Sequence, residues 1–140
     1  MRSPWLQRAL ALVVAAGLIS GCSSAKKAAP PPACRRAHPS QYPGARAALT
    51  DADAGGTYCA IVGETLSVTL HVPPGDTGPP WQPFTSSDPS VLAPVRHGVA
   101  AVPQRATATL FSVRKPGVVT IIGRRTTATL FNIVIVARAK

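Results

Sequence analysis

From Thr57 to the end of the chain, apolar and polar positions recur with the period of a β-strand, a pattern that the first 56 residues lack. A period of two places successive side chains on opposite faces of a strand. Thr57–Val62 predicts a short strand, and Gly63-Glu64 a turn. Thr65–Leu70 (TLSVTL) predicts a strand with Leu66, Val68 and Leu70 facing a core and its Thr and Ser residues facing solvent. Val72–Pro80 (VPPGDTGPP) reads as a loop, because proline cannot donate to a ladder. Trp81–Phe84 predicts a short strand interrupted by Pro83, and Val91-Leu92 opens another. His97–Gln104 reads as a second loop. Thr107–Val113 follows with Phe111 and Val113 inward, then Val118–Ile122 with Val119 and Ile121 inward. Leu130–Val136 (LFNIVIV) is almost continuously apolar, which is how a central strand buried on both faces reads.

About seven short strands, turns every ten residues or so and no amphipathic helix predict an all-β, immunoglobulin-like sandwich over 57–140. The segments ATATLFSV (106–113) and TTATLFNI (126–133) look alike. Two copies make no repeat array, and they read as neighbouring strands built from the same β-favouring residues. Residues 22–56 lack periodicity and are rich in breakers. Pro30-Pro31-Pro32 favours extended polyproline II, so this part reads as a flexible tether and lead-in, packed loosely at the domain edge.

The N-terminal segment has a different character. Arg2 and Arg8 precede an uncharged apolar run, Ala9–Ile19, and then Ile19-Ser20-Gly21-Cys22. This is the order of an export signal. The run is clearly shorter than the roughly 20 residues a membrane-spanning helix needs. The last four residues resemble the lipobox of bacterial lipoproteins. The resemblance implies cleavage after residue 21 and attachment of a diacylglycerol and an N-acyl chain such as palmitate to Cys22. It also implies anchoring on the extracytoplasmic face of the cell membrane. Removing 1–21 leaves roughly 120 residues, one domain's length.

Charge and cysteines refine this picture. Fifteen Lys and Arg against five Asp and Glu give a net charge of +10. Such a chain is drawn to anionic surfaces. For an exported protein those are lipid headgroups or acidic wall polymer, and no nucleic-acid motif is present. With Cys22 taken up by lipid, Cys34 and Cys59 remain as a disulfide candidate in an oxidising compartment.

Catalytic patterns are lacking. Asp51, Asp53, Glu64, Asp76 and Asp88 all fall in turns or loops, and His38, His71 and His97 stand beside no nucleophile motif. No phosphate loop, GxSxG or HExxH occurs. Asp51-Ala52-Asp53 lacks the further acids and closing Glu of a calcium loop. The chain therefore reads as a non-enzyme with no metal and no cofactor beyond the acyl groups.

One further pattern spans 57–137. Gly63–Leu70 (GETLSVTL), Thr77–Trp81 (TGPPW), Ser87–Leu92 (SDPSVL) and Lys115-Pro116-Gly117 together resemble the chagasin-type inhibitors of papain-like cysteine proteases. They are similar also to actinobacterial immunoglobulin-like lipoprotein domains. The resemblance implies a sandwich presenting three loops at one end. Thr77, Gly78 and Trp81 match the spacing of the first loop, with Pro79 in place of the family's aromatic. His97-Gly98 would begin the second, glycine-rich loop. Arg124-Arg125 would lie in the third, which keeps an arginine but lacks the family's Pro and aromatic. Trp81 is expected to pack in the core, and Arg124 and Arg125 to form a solvated turn. The leading expectation is a lipid-anchored, non-catalytic binding or structural domain. The alternatives are inhibition of papain-like proteases and binding of anionic wall polymer, with envelope proteins, a protease or the polymer as candidate partners.

Overall fold

A computed structural model describes residues 29–95, 105–128 and 130–140. Residues 1–28, with the expected export signal and Cys22, and the expected His97-Gly98 loop lie outside the described residues. Ten strands are described: β1 Arg35–Arg36, β2 His38–Pro39, β3 Ala47–Leu49, β4 Thr57–Ile61, β5 Thr65–His71, β6 Thr85–Ser86, β7 Leu92–Pro94, β8 Ala106–Val113, β9 Gly117–Arg124 and β10 Leu130–Arg138. A single 3-10 turn, Asp51–Asp53, joins β3 to β4. The strands form two five-stranded sheets, ordered β1-β4-β10-β9-β6 and β2-β3-β5-β8-β7. Both are mixed: β4 runs parallel to β10 and to β1, and β3 parallel to β5. The protein is an immunoglobulin-like β-sandwich. Among the described residues no helix is long and apolar enough to cross a membrane.

The inward residues are those the alternation selects. Leu66, Val68 and Leu70 of β5 meet Phe111 and Val113 of β8 on one sheet, and all are at most 1% exposed. Val119 and Ile121 of β9 face them from the other sheet, with Phe131, Ile133 and Ile135 of β10. Gly63 closes the β4–β5 turn at φ +93°, a backbone region that side chains with a Cβ resist. β10 lies between β4 and β9, as a central strand should. Only its last third is covered on both faces, however, where Val136 and Ala137 are buried. Leu130 is 57% exposed at its start, so the first half alternates like an ordinary half-buried strand.

Three other expectations are corrected. The lead-in does not stay loose: from Arg35 it adds β1 to one sheet and β2 and β3 to the other, and Leu49 is fully buried. Its strands are two or three residues long, too short to show a period. Ser67 and Thr69 do not face solvent. They are 1% and 5% exposed, with the Ser67 hydroxyl bonded to Ser40 Oγ at 3.1 Å and to the Ala47 carbonyl at 3.3 Å. Trp81–Phe84 is not a strand, because Pro79, Pro80 and Pro83 lack the N–H groups a ladder needs. Gln82 N bonds once to Arg124 O, and pairing with β9 begins at Thr85, where the prolines end.

Cys34 and Cys59 are joined by a disulfide with their Cα atoms 5.1 Å apart. The bond ties the entry of the domain to β4, beside the two-residue ladder of β1.

Candidate functional site

β5 and β9 both run toward one end of the sandwich, so the loop after each emerges there. The first loop starts at His71. Val72 N bonds the Arg105 carbonyl at 2.9 Å, which fixes the base of the loop to the start of β8. Asp76 then accepts a hydrogen bond from Gly78 N at 2.7 Å, the local side-chain turn an Asp two residues before a Gly is suited to make. Thr77, between them, is exposed.

The second loop follows β9, and Arg125 controls it. Arg125 is 8% exposed, not solvated as expected, while neighbouring Arg124 does face solvent. Its Nη1 lies 2.6 Å from Asp76 Oδ2, and its Nε donates to the Pro79 carbonyl at 2.7 Å. A planar guanidinium can hold both partners at once, which an ammonium would not do with the same geometry. Hydrogen bonding from Arg125 is the main cause holding the Asp76 carboxyl down at about 2, helped by the Gly78 N–H. The same pairing raises the Arg125 pKa. Arg105 adds a third bond, from Nη2 to the Gly78 carbonyl at 3.1 Å.

Gly78 is a glycine for a local reason. A Cβ there would stand 2.7 Å from Arg125 Nη2 and 3.0 Å from Asp76 Oδ1, so any side chain would push the guanidinium away. The backbone of Gly78 and Pro79 is thereby occupied. Gly78 N, Gly78 O and Pro79 O all have partners inside the protein, and residues 79 and 80 are prolines with no N–H. A cavity of about 240 Å³ opens beside this network, lined by Val72, Gly78, Pro80 and Arg105.

Trp81 packs against the edge of the core and remains half-buried. Its ring meets Phe131 edge-on at 6.3 Å between centroids, and its Nε1 donates to the His71 carbonyl at 3.1 Å. Thr107 Oγ1 donates to the Trp81 carbonyl at 2.9 Å. The tryptophan thus forms the floor under the first loop and braces it. Of the sequence-predicted residues, Thr77, Gly78, Trp81, Arg124 and Arg125 gather at this end. Sequence reasoning missed Asp76 and Arg105 as partners; the Asp-x-Gly spacing was the available signal.

Asp51, His71 and Asp53 act as latches. Asp51 accepts from His71 N and lies 3.0 Å from His71 Nδ1, tying the 3-10 turn to β5. Asp53, 3% exposed, accepts from Thr50 N and from the Tyr58 hydroxyl, tying it to β4. Burial, then the Asp53 hydrogen bond, raises the Tyr58 pKa. No group of three or more His, Cys, Asp or Glu stands together as a metal site among the described residues.

No family model and no curated protein matches the chain. Among solved structures, the cysteine protease inhibitor EhICP2 from Entamoeba histolytica is similar, with a TM-score of 0.51 and 17% identity over 65% of this chain and 93% of that one. The fold is chagasin-like. Amebosin gives a TM-score of 0.40 at 15% identity, covering 65% of this chain and 96% of its own. PbICP-C, solved in complex with falcipain-2, gives 0.37 at 15% identity, covering 69% and 92%. At these identities the likeness concerns the fold.

Proposed function

We propose that this chain is a lipid-anchored, extracytoplasmic binding domain without catalytic function, which presents its braced loop end to a protein partner. The observation that carries the reading is the Arg125–Asp76 pair. It joins two separate loops into one surface before any partner arrives, and preorganised loops lose less freedom on binding. The groups gathered there suit recognition: an exposed Thr77, a half-buried Trp81 and exposed Arg124. None is placed as a nucleophile with its base.

The anchor rests on Ile19-Ser20-Gly21-Cys22. Mass spectrometry of the mature N-terminus after expression in a bacterium should find an acylated Cys22. An unmodified cysteine or a start elsewhere would sink that part. Pull-down from envelope extract with the mature chain should capture a partner that Arg125→Ala no longer holds. Retention that survives Arg125→Ala, but is lost in salt, would favour anionic wall polymer instead.

A second reading is occlusion of a papain-like cysteine protease, favoured by the fold shared with EhICP2, itself a cysteine protease inhibitor. The internal bonding of Gly78 and Pro79, with no N–H on Pro79 or Pro80, argues for weak inhibition, because the loop has few backbone groups left to offer a cleft. Titration of papain decides between them. Tight inhibition abolished by Gly78→Glu would promote this reading; unchanged papain activity would retire it.

A further inference from the structure

The end of the sandwich opposite the loops carries a different chemistry. β4 and β10 both run toward it, and there Arg138 pairs in register with Ile61. One row back, β1 sets Arg36 beside Cys59, and Cys59 beside Val136. These residues border an open groove of about 550 Å³, whose walls include Arg36, Arg46, Arg138, Cys59, Ile61 and Glu64. Three guanidiniums thus line one groove. Arg36 and Arg138 are exposed, and no ion pair involving either is present among the described residues. Glu64 is the acid on the rim. It is occupied by Ile61 N at 3.2 Å and approached by Arg46 at 3.7 Å. On the same sheet face Ile61 and Val118 are 39% and 51% exposed, an aliphatic shoulder beside the arginines.

We propose that this groove receives the phosphate headgroup of an anionic membrane lipid, with Ile61 and Val118 resting against the bilayer interface. Two observations choose the bilayer as occupant. Among the described residues the lining holds three arginines against one acid, Glu64, which is already engaged by Ile61 N and Arg46, so the charge complements an anionic surface. The lead-in is also fixed to the wall of this groove: Cys34 is bonded to Cys59, and β1 then runs toward this end and places Arg36 on the lining. Docked in this way, the loop end points away from the bilayer, toward a partner. The inference rests on the lipid-anchor reading for which surface lies nearest, but its test does not need the anchor.

The test uses the mature chain carrying Cys22→Ser, which cannot be acylated, in co-sedimentation with vesicles. Binding is expected to vesicles of mixed phosphatidylglycerol and phosphatidylcholine at low salt, and not to phosphatidylcholine alone. Arg36→Gln and Arg138→Gln should each weaken partitioning by about fivefold, the usual effect of one basic residue at an anionic surface. Val118→Ser should weaken it further without altering the salt dependence. Glu64→Gln should act in the opposite direction and strengthen binding, which misfolding would not do. Equal binding to both vesicle types, or arginine variants without effect, would overturn the proposal. Equal affinity for soluble poly(glycerol phosphate), indifferent to Val118→Ser, would overturn the membrane as source and assign the groove to wall polymer. Loss of Cys22 acylation in the wild type alongside intact vesicle binding would refute the anchor and leave the groove standing.

Discussion

Phe111, at the centre of the sandwich, and Arg125, at its loop end, are both shielded from water, at 0% and 8% exposure. The first is held by apolar neighbours on both sheets, an attraction with no direction and little dependence on pH. The second is held by two directed hydrogen bonds, to Asp76 and to the Pro79 carbonyl, in space left open by the missing side chain of Gly78. Damage to the middle should therefore reach the whole domain, whereas damage at the end should stay local. The loop end can vary in sequence without the fold being lost, and the fold can carry a rigid recognition surface made almost wholly of polar bonds.

The sharpest way to break the contrast is Phe111→Ala. Truncating a fully buried aromatic leaves a cavity, with a cost of about 3–5 kcal/mol, read as a loss in denaturant midpoint across every probe. Reducing the disulfide, or replacing both Cys34 and Cys59 with Ser, should cost about 3 kcal/mol on the chain-entropy account for a loop of this size. A thermal midpoint unmoved by reductant would refute it. Tyr58→Phe comes next. It strips buried Asp53 of the tyrosine hydroxyl, and such losses are about 1–2 kcal/mol.

Asp76→Asn should leave the global midpoint nearly unchanged, yet speed amide exchange from Gly75 to Trp81. If the midpoint falls as far as it does for Phe111→Ala, the contrast fails. The pH dependence sharpens it further. Asp76 has its carboxyl lowered from 3.8 to about 2 in the folded protein, so its contribution is complete above the unfolded carboxylate's range. It is lost as the pH falls through about 2. Trp81 fluorescence, reporting the loop floor, should hold steady down to about pH 4 and change below it. Asp76→Asn should remove that change.

The same contrast explains what was legible in the sequence. β5, β8, β9 and β10 are long enough for alternation to select Leu66, Val68, Phe111, Val119 and Ile121, because burial of one face is what the period records. The segment from Arg35 to Asp53 was opaque. Its strands are two or three residues long, and its polar side chains are satisfied by partners distant in sequence, as when Asp51 caps His71 N twenty residues on. A basic pair in a turn reads as solvated, and Arg125 is not. Its burial depends on Asp76, which lies 49 residues away. A directed bond between two loops leaves no periodic trace; only the Asp-x-Gly turn hinted at it.

The Cys34–Cys59 bond also sets how the domain bears mechanical load. A pull on the N-terminal segment would otherwise act on β1, whose ladder with β4 is two residues long and would peel away first. The disulfide carries the force past that ladder into β4, which is paired with β10 over five residues from Thr57 to Ile61. Those strands run parallel, so the load arrives along them as shear, shared among several hydrogen bonds at once, and a five-residue ladder in place of a two-residue one becomes the attachment point. Pulling single molecules by residue 29 should show an early low-force release of β1 only after reduction, and an oxidised domain that yields in one step.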